Sequence, residues 1–106
     1  MEAALKALAE PNRRRILTLV RDEELTAGEI ASHFDVSRPA VSQHLTVLKE
    51  AGLVHERRNG TRRLYSVRTE GFEEVKAFLE AFWDARLAAL KREAEREEKK
   101  KRGTHD

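Results

Sequence analysis

At 106 residues, with 40% hydrophobic and 38% charged residues, the chain has the size of one small domain with much of its surface facing water. It has no cysteine, which excludes disulfides and thiolate metal sites, and no apolar run approaches the ~20 residues that span a bilayer. The net charge of +2 hides an asymmetry: residues 36–69 carry seven Lys/Arg against two Asp/Glu, whereas residues 70–106 carry nine against ten.

The opening segment, MEAALKALAEPNRRR, lacks the basic-then-apolar order of a secretory signal, so a cytoplasmic location is expected. Residues 2–9 (EAALKALA) predict a short helix with Leu5 and Leu8 on one face. Pro11 suits the first position of a second helix, where its missing N–H costs nothing. That helix is expected to reach about Arg21, with Ile16, Leu17, Leu19 and Val20 inward. Arg13, Arg14 and Arg15 fall in its first turns, either as a solvated face with a salt bridge or as phosphate contacts. Thr26 and Glu29 have the spacing of a capping box for a third helix, with Ile30, Ala31 and Phe34 inward.

Ser37 is placed to cap a fourth helix, with Pro39 in its first turn. Val41, Leu45 and Leu48 recur at helical spacing and predict its buried stripe. Arg38, Ser42, Gln43, Thr46 and Lys49 fall largely on the opposite side, and Gly52 is the expected left-handed stop. Residues 53–57 and 63–67 alternate as strands. Asn59-Gly60 between them predicts a type I′ hairpin turn, with positive φ at both positions. From about residue 70 to 101 there is no proline, and Phe72, Val75, Phe78, Leu79, Phe82, Trp83, Leu87 and Leu90 follow a helical period. Such a helix would be about 45 Å long, more than one small domain covers. From Lys91 onward almost every residue is charged, so a fraying, disordered end is expected.

A polar-faced helix beside a basic hairpin suits double-stranded DNA: the helix enters the major groove and the hairpin reaches backbone or minor groove. Gln43 can pair bidentately with adenine and Arg38 with guanine. Ser42 and Thr46 can donate to phosphate or base edge, and the N–H groups after Ser37, around Pro39, can hold a phosphate. His44 either donates to phosphate or is a packed side chain. His33 and His55 are expected to be structural or solvent-facing, and Tyr65 to pack on the helices. Arg57, Arg58, Arg62 and Arg63 surround the hairpin tip Asn59-Gly60-Thr61, and four arginines exceed the charge an edge needs to resist aggregation, which favours DNA contact there.

The segments LKALAEPNRRRIL, SRPAVSQHLTVLKEAGLV and ERRNGTRRLYSV together resemble the ArsR/SmtB-type family of small bacterial repressors, over about residues 4–90. The resemblance implies a mainly α winged helix-turn-helix with a small β-hairpin, dimerising through its terminal helices, and a homodimer on an inverted-repeat operator. It assigns DNA contact to the positions of Arg38, Ser42 and Gln43, and the dimer interface to the first and last helices. Leu5, Leu8, Phe78, Phe82, Trp83, Leu87 and Leu90 are the candidates there. One common metal site of the family uses an ELCVCDL-type segment; the matching ELTAGEI has Thr26 and Gly28 at the cysteine positions. A second needs histidines on the last helix, and none lies between Val67 and Arg102. No metal or cofactor is therefore expected. Control is left to an organic ligand in the dimer interface, for which the Trp83 cluster is the one apolar region available, to a partner protein, or to the protein's own concentration, although packed core is the expected state of that cluster. The expected division is residues 1–90 as one domain with residues 91–106 as a charged extension. No nucleophile–base pair, phosphate loop or paired acid site points to an enzyme. A winged-helix protein-assembly module is the alternative, favoured by the charged REAEREEKKKR and opposed by the basic balance of residues 36–69.

Overall fold

The computed structural model describes residues 1–103, with side chains to Lys99. The chain divides into two compact units, residues 1–75 and residues 76–106. The first holds α1 (Glu2–Leu8), α2 (Pro11–Val20), α3 (Ala27–Ala31), α4 (Arg38–Glu50), β1 (Val54–Asn59), β2 (Arg62–Val67) and a 3₁₀ turn (Thr69–Phe72), followed by the start of α5 (Glu73–Gly103). Its core joins Ala4 and Ala7 of α1, Ile16, Leu17 and Val20 of α2, Ile30 of α3, and Val41, Leu45 and Leu48 of α4, with Leu53 and Val54. The apolar stripe read from α4 is thus the face that seats it, and its opposite face is left to solvent.

Local chemistry sets the helix ends. Glu10 caps α2 by accepting from the Arg13 N–H at 2.9 Å, with Pro11 in the first turn. The capping box of α3 forms, Thr26 Oγ1 accepting from the Glu29 N–H and Glu29 Oε1 from the Thr26 N–H, each at 3.1 Å. Ser37 Oγ accepts from the Ala40 N–H at 3.3 Å to start α4. That helix stops in a Schellman arrangement: Leu53 N–H donates to the Leu48 carbonyl (2.9 Å) and Gly52 N–H to the Lys49 carbonyl (3.0 Å). Gly52 has φ +77°, and Leu48 and Leu53 are both fully buried beside it.

The hairpin departs from the type I′ expectation. Asn59 pairs with Arg62 as the last rung of the ladder, so the loop is Gly60-Thr61. Only Gly60 has positive φ (+67°), as a type II′ turn with glycine at its first central position requires. Each strand is consequently longer at the tip than the sequence suggests. Leu25 adds a short third edge, exchanging N–H···O bonds of 3.1 and 2.8 Å with Tyr65. This anchors the hairpin to the segment that leads into α3.

The second unit is α5 alone, one continuous helix through Gly103. The helix includes Lys91 and the charged residues after it as far as Gly103, and the part of the expected disordered tail that holds His105 lies outside the described residues. Phe78, Leu79, Phe82, Trp83, Leu87 and Leu90 are exposed, so the Trp83 cluster is not a packed core within one chain. Leu5 is also exposed, whereas Leu8 is half-buried against the core of the first unit. Among the described residues no helix is long and apolar enough to cross a membrane.

Candidate nucleic-acid interface

The outward face of α4 carries Arg38, Pro39, Ser42, Gln43 and Thr46, all exposed. Arg38, Ser42 and Thr46 succeed one another at four-residue intervals, which aligns them along one side of the helix. Thr46 Oγ1 donates to the Ser42 carbonyl at 3.0 Å, so its free valence outward is as an acceptor. Ser37 is committed to its cap.

Arg38 and Ser42 line one side of a groove of about 650 Å³ whose other side is Thr61, Arg62 and Arg63 of the hairpin. Of the residues singled out from sequence, Arg38, Ser42, Thr61, Arg62 and Arg63 meet across this cleft, whereas Gln43, Thr46, Arg58, Asn59 and Gly60 lie outside its lining. Its floor is the start of α3, where the Arg38 guanidinium lies over Gly28: a Cβ built on that glycine would sit 3.8 Å from Arg38 Cζ. Asn59, Gly60 and Thr61 stand exposed at the tip.

His44 is not on this face. Its imidazole is half-buried against α2, with Arg13 Nη1 donating to Nδ1 at 3.4 Å and Glu10 Oε2 lying 3.9 Å from Nε2. The packed alternative is the one observed, because α4 buries more of its circumference at the α1–α2 junction than its three apolar residues indicate. The Arg13–Arg15 cluster is likewise internal bracing. Arg13 donates to the carbonyls of Ala7 (2.8 Å) and Lys6 (3.2 Å), and Arg14 to that of Leu8 (2.7 Å). These carbonyls belong to the last turn of α1, where intrahelical donors run out. Arg15 stacks over the Phe34 ring, 4.4 Å from its centroid.

Three carboxylates that sequence reading did not connect to the hairpin pin it in place. Glu24 takes a bidentate pair from Arg57, both contacts at 2.9 Å. Glu29 accepts from Arg62 at 2.8 Å while capping α3. Glu56, whose side chain is only 16% exposed, accepts from Lys49 at 2.7 Å and meets Arg63 at 3.3 Å, tying α4 to both strands. The Lys49 hydrogen bond holds the Glu56 carboxyl below its ordinary value, and Glu56 in turn raises Lys49. The Arg57 hydrogen bond lowers Glu24, and the Thr26 hydrogen bonds, ahead of Arg62, lower Glu29. Tyr65 is raised by burial and by Glu56.

A depressed carboxylate stabilises the fold above its unfolded value and loses that contribution as pH falls through the folded one. Glu56→Gln is therefore expected to weaken the pH dependence of stability below the ordinary carboxylate value of 4.5. Urea midpoints at neutral pH and below 4.5 measure this; an identical acid response in both proteins would remove Glu56 as a source.

Among the described residues no three His, Asp or Glu side chains converge to hold a metal ion. The family described as bacterial regulatory protein, arsR family, matches residues 10–56. HTH-type transcriptional regulator Rv2034 of Mycobacterium tuberculosis is 44% identical over 86 residues, covering 81% of this chain and 80% of that protein. Transcriptional repressor SdpR of Bacillus subtilis is 42% identical over 69 residues, covering 65% of this chain and 77% of that protein. A solved homodimeric winged helix-turn-helix DNA-binding domain from Mycobacterium bovis, a possible ArsR-family transcriptional regulator, matches with TM-score 0.63 and 32% identity. That match covers 78% of this chain and 77% of the other. With the capped α4, the hairpin wing and these relatives in agreement, the chain belongs to the arsR family of bacterial regulatory proteins and is a winged helix-turn-helix DNA-binding transcriptional regulator.

Proposed function

We propose that the protein is a homodimeric repressor, working in the cytoplasm, that occupies an inverted-repeat operator in double-stranded DNA. The observation that carries this reading is the single groove shared by Arg38 and Ser42 of α4 and Thr61, Arg62 and Arg63 of the hairpin. α4 enters the major groove, where Gln43 reads adenine and Arg38 guanine through bidentate hydrogen bonds. Ser42 donates to phosphate or a base edge, whereas Thr46, its hydroxyl hydrogen held by the Ser42 carbonyl, accepts from a base-edge amino group instead of donating. Arg58, Arg62 and Arg63, with Asn59, Gly60 and Thr61 at the tip, follow the adjoining backbone. Arg62 exchanges its Glu29 partner for a phosphate when DNA arrives.

A second copy covers Leu5 and the exposed stripe of α5, which contributes Phe78, Phe82, Trp83, Leu87 and Leu90. Residues 1–90 supply the reading head and this surface, and residues 91–106 are a charged extension. Two-fold symmetry then sets two α4 helices one DNA turn apart, about 34–36 Å. Selection of bound duplexes from a random pool tests the reading. An inverted repeat with that half-site spacing is expected; a pool that never enriches would overturn it. Gln43→Ala is expected to weaken the selected operator by about 1–3 kcal/mol and to relax one base pair per half-site. Repeating the selection with the variant checks that position, and an unchanged logo would take Gln43 out of base readout.

A further inference from the structure

The hairpin divides its arginines unequally. On one face Arg57 and Arg62 each hold a carboxylate of the body, Glu24 and Glu29. On the other face Arg58 and Arg63 stand directly opposite each other in the ladder. Like charges at such a pair repel, and a strand needing only solubility would gain from an acid at either position. Arg63 is partly compensated by Glu56 at 3.3 Å. Arg58 has no carboxylate within ion-pair distance among the described residues and feels Glu56 only through its field. The two line a cleft of about 500 Å³ with Lys49 from the end of α4 and Arg68 from the residue before the 3₁₀ turn. Glu56, already engaged by Lys49 and Arg63, is the one carboxylate in its wall. Arg68 reaches Glu70 only at 3.9 Å.

We propose that this outer cleft at the base of the wing is a second site for DNA phosphate, built from Lys49, Arg58, Arg63 and Arg68, outside the groove where α4 and the wing tip meet. The inference rests on the DNA placement proposed above. Arg63 lines both cavities, so the cleft adjoins the groove. A phosphate here relieves the Arg58–Arg63 repulsion, which gives the pairing a purpose. Three of the four basic side chains are arginines, whose planar guanidinium forks match phosphate oxygens. Lys49 is held further toward its charged form by Glu56. The occupant is a backbone phosphate flanking the bases read by α4, so the contact adds affinity and register but no sequence preference.

Random-sequence duplex DNA is the probe, because non-specific binding is dominated by phosphate contacts and its salt dependence counts them. Affinity is measured against salt concentration for the full-length parent, for Arg58→Gln/Arg68→Gln and for Arg62→Gln. A third variant, Lys91→Gln/Arg92→Gln, removes the same net charge from α5. The cleft variant is expected to lose about one unit of log–log salt slope per arginine per protomer, with the α5 variant unchanged. A slope equal to the parent's, with Arg62→Gln still reducing it, overturns the cleft and leaves the DNA reading intact. An equal loss in the α5 variant also overturns it, by making the effect one of total charge. A parent that binds no duplex at any salt concentration overturns both. Thermal melts of all variants check folding, and the exposed positions chosen leave the core untouched.

Discussion

Replacing Phe82 with glutamate will leave a folded monomer whose affinity for the operator is lower by about 10²–10⁴-fold. Phe82 is 61% exposed and its neighbour Trp83 59% exposed, in a stripe that continues through Leu87 to Leu90. A lone chain gains nothing by presenting a row of large apolar side chains to water, and rows of this size mark interaction surfaces. A self-complementary partner is the economical cover, since a two-fold axis lets one stripe bury its own copy. A carboxylate at position 82 would be desolvated at that contact without a counter-charge, which opposes association strongly.

The core of the winged unit ends with Val75, so the substitution lies outside it and the reading head keeps its structure. What is lost is linkage: each half-site must then be held by an independent molecule instead of one tethered to its neighbour. Sedimentation equilibrium reads the mass, and titration with the selected operator reads affinity. A variant that remains dimeric would place the interface elsewhere; a monomer that binds the whole operator at parental strength would show that pairing is irrelevant to recognition.

The elements that were legible in the chain are those encoded by neighbours in sequence. The Thr26–Glu29 box, the Ser37 cap, the α4 stripe and the Gly52 stop all depend on residues within two turns of each other. The hairpin was legible as a hairpin, but its turn was misplaced by one residue. Asn-Gly favours type I′, yet Gly-Thr satisfies type II′ at the same site, and the pairing of β2 with Leu25 sets a register that no dipeptide carries. The wing's partners Glu24 and Glu29 were illegible as partners, because they lie 33 residues from Arg57 and Arg62 respectively. His44 shows the same limit: its role is decided by Glu10 and Arg13 on another helix. The apolar period read for α5 runs back to Phe72, which lies in the 3₁₀ turn, and to Val75, which belongs to the core; whether the rest faces a core or water depends on folding of the whole chain.

Gly71 gives the second large expectation, and it is one that composition cannot supply. Here the requirement is space. A Cβ at Gly71 would fall on the Gly52 carbonyl oxygen and 2.7 Å from its carbon, with Leu53 Cδ2 at 3.3 Å. These are backbone atoms of the Schellman stop that ends α4, held by the Leu53–Leu48 and Gly52–Lys49 bonds, so they cannot yield as a side-chain tip would. Gly71 itself is fixed by its N–H to the Arg68 carbonyl at 3.1 Å. Gly71→Ala must therefore push the 3₁₀ turn off the end of α4, at an overpacking cost of about 3 kcal/mol or more. For a unit of this size that lowers Tm by roughly 12–24 °C. Gly52→Ala supplies the internal comparison. Its φ of +77° costs about 1–2 kcal/mol for an alanine, but its added Cβ meets nothing closer than Arg68 Nη1 at 3.7 Å. The expected order of melting temperatures is parent, then Gly52→Ala, then Gly71→Ala, by calorimetry on the full chain. If Gly71→Ala melted above Gly52→Ala, the close passage of the two glycine backbones would not be the constraint that joins the 3₁₀ turn to the end of the recognition helix.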